Sequence, residues 1–132
     1  MDCIFCKIIN NELSSYKVYE DEKTLVIMDN ANDVNGHMIA MPKKHVKSIL
    51  DCDVDTLNNL MKTVRIISNH CIENCGFFGI NLLNANEESA GQSILHFHIH
   101  IIPRMQNDSI NAWPDLKGNT IPILEMYKKL KI

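Results

Sequence analysis

"HFHIHIIPR", residues 96–104, decides how the rest of the chain is read. Histidine stands at every second position, as His96, His98 and His100, and Phe97, Ile99 and Ile101 alternate with them. Side chains of a β-strand alternate between its two faces. The pattern therefore predicts a strand with three imidazoles on one face and a core-facing apolar row on the other. We place this strand at residues 95–102, ended by Pro103, since proline has no N–H to give to a ladder. Neighbouring imidazoles on such a face lie ~7 Å apart and the three span ~13 Å, which is wide for three ligands of one ion. Two functions fit the row. The imidazoles hold a metal, or they divide the labour, one acting as nucleophile while its neighbours orient it or bind substrate charge. Neutral imidazole, with an ordinary pKa of ~6.5, is a competent nucleophile near pH 7. Directly upstream, "NANEESAGQS" (residues 84–93) is a polar loop in which Gly91 allows close backbone approach. Its Gln92 and Ser93 can donate hydrogen bonds to an anion such as phosphate.

Outward from this strand, "KVYED" (17–21) and "KTLVIMDN" (23–30) predict two strands joined by a charged turn, and "GHMIAMPKK" (36–44) a third, ended by Pro42. "FFGINLLN" (77–84) predicts another. Between them the period changes. Leu57, Leu60, Met61, Val64, Ile67, Cys71 and Cys75 recur three or four apart, on one face of a long helix over 53–76. Asp53 or Asp55 suits its N-cap and Gly76 its C′ position. "TIPILEMYKKLKI" (120–132) predicts a short closing helix. Five strands at hairpin spacing with one long helix argue for an α+β fold around a mostly antiparallel sheet.

With 132 residues the chain is long enough for one domain, spanning 1–132, and no internal repeat or linker divides it. A net charge of −3 gives no electrostatic reason to expect nucleic acid or an anionic membrane as partner. No stretch approaches the ~18 apolar residues of a membrane span. The first residues, "MDCIFCKIINNELSS", lack the basic start and apolar core of a signal peptide. Five cysteines in this setting predict a cytoplasmic protein with thiols or metal ligands in place of disulfides.

The run His96–Phe–His98–Ile–His100–Ile–Ile102 resembles the histidine-triad motif, in which three histidines alternate with apolar residues. "AGQS" before it, "PR" after it, "CIFCKI" near the N-terminus and "GHMIAMPKKHV" in the centre strengthen the resemblance to the prokaryotic histidine-triad nucleotide-binding branch. It covers about residues 3–104. The resemblance implies a histidine-triad fold: a five-stranded antiparallel sheet with one long and one or two short helices, dimerising into a ten-stranded sheet. It implies purine nucleotide binding and hydrolysis of nucleoside 5′-phosphoramidates, of the AMP-amine or AMP-lysine type, through a covalent nucleotidyl-histidine. By position in the motif His98 is the nucleophile and His100 binds the α-phosphate. Gln92 and Ser93 flank the phosphate and leaving group. Asp29 binds the ribose hydroxyls, and Asn84 or Asn86 is the phosphate-side asparagine. For His98 to attack through Nε2, its Nδ1–H needs an acceptor, expected in a main-chain carbonyl of the same strand.

Cys3 and Cys6 form a Cys-x-x-Cys pair, which reads equally as half of a zinc site and as two small buried residues. In the resembling proteins the other ligands correspond to His45 and His96. The resemblance thus implies one structural zinc per chain, held by Cys3, Cys6, His45 and His96, with no organic cofactor. Cys71 and Cys75 read as helix core, His37 as a structural turn residue, His70 as surface and Trp113 as a packing residue. For Trp113 the resemblance offers an alternative, in which the C-terminal segment reaches over a partner's active site. Rival functions are hydrolysis of dinucleoside polyphosphates and a non-enzymatic nucleotide-binding scaffold dimer. One departure stands out. The resembling proteins commonly carry glycine after the loop asparagine, whereas Asn86 is followed by Glu87 and Glu88. Two carboxylates there would disfavour polyphosphates and favour a cationic amine leaving group.

Overall fold

Five short extended stretches pair into one antiparallel sheet in the computed structural model, which describes residues 2–132. Strands β1 (Lys17–Glu20), β2 (Thr24–Met28), β3 (Met38–Pro42), β4 (Gly79–Leu83) and β5 (Ile99–Arg104) lie in the order β1-β2-β3-β5-β4. Helix α1 (Ile4–Ile9) and helix α2 (Val54–Asn74) contribute to two separate apolar clusters against the sheet, and α3 (Ile123–Leu130) follows β5 near the end of the chain. Leu25, Ile27, Ile39 and Met41 pack with Phe5 and Ile8 of α1. Val26, Met38, Ala40, Ile99 and Ile101 pack with Leu60, Val64, Ile67 and Cys71 of α2. Both faces of the central strands are therefore covered, which is why β2 and β3 read as unbroken apolar runs.

The expected strands and the long helix are present, with shorter ends. Asp53 is the N-cap of α2, its carboxylate accepting from the Thr56 N–H at 3.1 Å. Gly76 follows the C-cap Cys75 with φ +80°, the left-handed conformation that glycine adopts without a Cβ penalty. The buried stripe of α2 is narrower than expected. Leu60, Val64, Ile67 and Cys71 are buried, but Met61 and Cys75 are exposed, so Cys75 is not core. Thr63 lies within this stripe and shares a buried 2.7 Å hydrogen bond with Thr24 of β2, which satisfies both hydroxyls. All five cysteines are free thiols.

Three expectations need correction. The histidine strand does not start at Leu95: its ladder begins at Ile99, where Ala40 pairs with Ile99 and Ile39 with His100. Ahead of it the Pro42 carbonyl accepts from the His96 imidazole at 2.8 Å, and the Phe97 N–H donates to the Val46 carbonyl at 2.8 Å, so side chain and loop replace ladder partners. Pro103 does not end the strand, which runs on to Arg104. β3 pairs only with Ile99–Ile101, so beyond Ile101 β5 is paired on the β4 side alone, the edge setting in which proline is tolerated. Trp113 is not a packing residue; it is 75% exposed, and no residue of α3 is buried. Among the described residues no helix is long and apolar enough to cross a membrane.

Candidate active site and metal centre

The alternation of residues 96–101 survives the loss of ladder bonds. Phe97, Ile99 and Ile101 join the α2 cluster, and the three imidazoles lie on the α1 side, where the Phe5 ring packs edge-on against His96 and His98 at centroid distances of 5.8 and 5.1 Å. Each imidazole is committed differently.

His96 is fully buried and stands among sulfur atoms. Cys3 is the N-cap of α1 and its Sγ accepts from the Cys6 N–H at 3.4 Å, so the Cys-x-x-Cys spacing brings both thiols to the first turn. His96 Nδ1 lies 3.5 Å from Cys3 Sγ, 3.6 Å from Cys6 Sγ and 3.1 Å from His45 Nδ1, while Cys6 Sγ lies 3.4 Å from His45 Nδ1. A tetrahedral zinc with its usual bond lengths needs S···N edges of about 3.5 Å and N···N edges of about 3.3 Å. The four atoms are compatible with such an ion. The Pro42 carbonyl can only accept, so His96 carries its proton on Nε2 and turns the Nδ1 lone pair toward the thiols. Burial holds the His96 pKa down to about 4. Burial, then the neighbouring Cys3, pushes the Cys6 thiol up to about 11, a preference for the neutral form that a divalent cation would reverse.

His98 is buried, and its Nδ1 donates to the His96 carbonyl at 2.7 Å. The acceptor is a main-chain carbonyl, as expected, but of the segment ahead of β5, and it fixes the tautomer with the lone pair on Nε2. Burial lowers the His98 pKa from its ordinary value, which keeps the ring neutral near pH 7. Asn84 donates to the His98 carbonyl at 2.8 Å and accepts from Asn86, whose own side-chain oxygen takes the Ile49 N–H at 2.8 Å. Asn84 is therefore the asparagine beside the nucleophile candidate, and Asn86 ties it to the loop before α2.

His100 is half-buried, and its ring lies 5.0 Å from that of His98. Its Nδ1 is 2.8 Å from His37 Nε2. His37 is thus not merely a turn residue. Ile39 pairs with His100, so His37, two residues earlier, is a diagonal neighbour on the same face. His37 Nδ1 donates to Asp33 at 2.8 Å, and its Nε2 is 3.5 Å from Asp29 Oδ2. Gly36, just before His37, lies close against Pro103 of β5. It has φ +83°, and a Cβ there would sit 3.0 Å from Pro103 Cγ.

Asp29 also caps its own turn, accepting the Ala31 N–H at 2.7 Å. Gln92 is buried and fully occupied by main chain: it accepts from the Glu87 N–H and donates to the carbonyls of Lys47 and Ile94. Ser93, next to it, is exposed. Gln92 holds Glu87 in an unusual backbone state, φ +77° and ψ 161°, a region populated almost only by glycine. The Glu87 carboxylate lies 3.7 Å from Lys47 Nζ, which offsets one of the two charges expected to face a leaving group. Phe5 also walls a cavity of about 540 Å³, with Ile4, Ile8, Ile27 and Ile39 as apolar lining and Asp29 as its carboxylate. A second cavity of about 270 Å³ opens beside His37 and His100.

The α+β fold thus brings together a buried imidazole with a free Nε2 lone pair, an apolar cavity with one carboxylate and a Cys2His2 cluster. Comparisons agree at the level of family. Residues 10–107 match the HIT domain family. The chain is 42% identical over 130 residues to an uncharacterised HIT-like protein of Methanocaldococcus jannaschii, covering 98% of each. It is 36% identical over 122 residues to the adenylylsulfatase HINT3 of Arabidopsis thaliana, covering 92% of this chain and 62% of that one. A HIT family protein from Bacillus subtilis superposes with TM-score 0.84 at 32% identity over 98% of this chain and 92% of the other. A zinc-bound histidine triad family protein from Mycobacterium smegmatis superposes with TM-score 0.80 at 28% identity, over 87% and 84%. The chain belongs to the HIT, or histidine-triad, family.

Proposed function

We propose that this protein is a nucleotide-binding hydrolase that cleaves nucleoside 5′-phosphoramidates. One observation carries the reading: His98 is locked with Nδ1–H on the His96 carbonyl, so a neutral Nε2 is presented without a separate base. The apolar cavity takes the purine, and Asp29 accepts from the ribose hydroxyls. His98 Nε2 attacks the phosphorus, the P–N bond breaks, and the departing amine takes a proton from solvent. Water then attacks the nucleotidyl-histidine, releasing the nucleotide and restoring His98. His100 binds the α-phosphate, and Ser93 lies toward the leaving group. Gln92 acts as a positioning residue, because its amide is spent on the main chain of Glu87, Lys47 and Ile94. Cys3, Cys6, His45 and His96 would hold a structural zinc that ties α1 to the histidine segment. The protein works as a cytoplasmic homodimer in this reading. Support for the dimer comes from β4, an edge strand with Leu82 and Leu83 exposed, and from exposed Met61, Ile66 and Ile72 on α2.

A second reading is favoured by the likeness to an adenylylsulfatase. There the bond broken joins AMP to sulfate, and the same nucleophile serves. AMP release from adenosine 5′-phosphoramidate, adenylyl sulfate and diadenosine tetraphosphate, measured side by side, separates these readings. The phosphoramidate should turn over fastest. A preference for the tetraphosphate overturns the proposal, and no release from any substrate leaves a binding protein.

A further inference from the structure

Besides the Cys2His2 cluster, Asp29, His37 and His100 bring three potential ligand atoms within 4.8 Å of one another. The backbone sets them there. The Asp29 N–H donates to the His37 carbonyl at 2.9 Å across the β2–β3 turn, and the pairing of Ile39 with His100 brings β5 alongside. His37 Nδ1 donates to Asp33 at 2.8 Å, and its Nε2 then lies 2.8 Å from His100 Nδ1 and 3.5 Å from Asp29 Oδ2. Each of these three atoms can present a lone pair. A proton on one of the nitrogens links only part of the group, whereas a cation among them satisfies all three. The Asp33 contact is the arrangement by which a carboxylate orients a metal-bound histidine and raises its basicity. Two imidazoles and one carboxylate select a transition ion such as zinc, cobalt(II) or nickel(II) over magnesium or calcium, whose ligands are oxygen. His100 and Asp29 are only partly buried, so positions remain for water.

The geometry points to a second metal site on Asp29, His37 and His100, with Asp33 as the outer carboxylate, that takes a divalent transition ion and competes with nucleotide. The competition rests on the proposed roles of Asp29 and His100 in ribose and phosphate binding; the metal site does not. Cobalt(II) is the probe. Protein whose Cys2His2 cluster is first filled with zinc is titrated with cobalt(II), and its visible absorption is followed. One further equivalent per chain is expected, lost in His37→Ala and weakened about 10- to 100-fold in Asp33→Asn, whose half-exposed side chain leaves folding intact. No second equivalent, or one that His37→Ala and Asp33→Asn both leave unchanged, overturns the site. AMP should displace the cobalt. Cobalt that binds through His37 and stays when AMP saturates keeps the metal site and overturns the competition, and with it the nucleotide roles of Asp29 and His100.

Discussion

The two ends of the histidine row are made of different materials. At one end His96 is fully buried and meets two thiols and a second imidazole, brought by α1 and by the loop after β3. At the other, half-buried His100 meets the His37 imidazole, which is itself flanked by the carboxylates of Asp29 and Asp33 from the turn between β2 and β3, beside a cavity. The histidines are four residues apart, so their own segment does not set the difference. Two thiols, and the full burial of His96 with Cys3 while Cys6 and His45 are half-buried, make the first site the more enclosed of the two. Oxygen donors and partial exposure leave the second able to admit a ligand. His98 lies between, with its proton placed by the backbone and its lone pair uncommitted.

The sharpest way to break this contrast is His98→Ala. Loss of the proposed nucleophile should lower AMP release by on the order of 10⁴-fold. Calorimetry should still detect AMP binding, because Asp29 and the cavity remain; a variant that retains turnover moves the chemistry elsewhere. Next comes Cys3→Ser, which removes a thiol from the more enclosed end. Thermal unfolding should drop by roughly 10–20 °C, the scale of several kcal/mol in a chain of this size. Turnover at low temperature should change far less. The reverse outcome, intact stability with lost activity, would make the two ends alike.

Acid should separate folded from unfolded chains through the same imidazoles. Burial lowers the pKa of His96, His98 and His100 in the fold, His96 to about 4. The unfolded chain, with histidine near ~6.5, binds protons first. Stability is therefore complete above ~6.5 and declines as pH falls toward 4. Urea midpoints of metal-free protein at several pH values test this; a flat profile over that window contradicts it. The smallest effect belongs to the loop. Glu87→Gly relieves a glycine-like backbone angle and should stabilise the fold by about 1 kcal/mol, raising the urea midpoint. A loss would mean that the Lys47 contact outweighs the strain.

What the sequence reveals about this site is chemical type and local spacing. His96, His98 and His100 are legible because alternation is local, and Cys3 and Cys6 because a helix turn brings both thiols to one end. The partners across the sheet are not legible in the same way. His37 looks like a turn residue until Ile39 is known to pair with His100, and that register depends on strands some sixty residues apart. The early start assigned to β5 fails for a related reason: the Pro42 carbonyl, a candidate ladder acceptor, is taken by the His96 side chain. The strain at Glu87 is invisible in composition, and the departure from glycine is its only mark.

Helix α3 turns the end of the chain into a gauge. It has eight residues and buries none of them, while Ile123, Leu124, Tyr127 and Leu130 are all exposed. Helices shorter than roughly 12–15 residues are marginal in water on their own. Its amide hydrogens in an isolated chain should therefore exchange with solvent far faster than those of β3 or α2, by a route that needs no global unfolding. Any slowing measured on this helix at rising protein concentration reports contact with another molecule, residue by residue, and so locates what those apolar side chains cover.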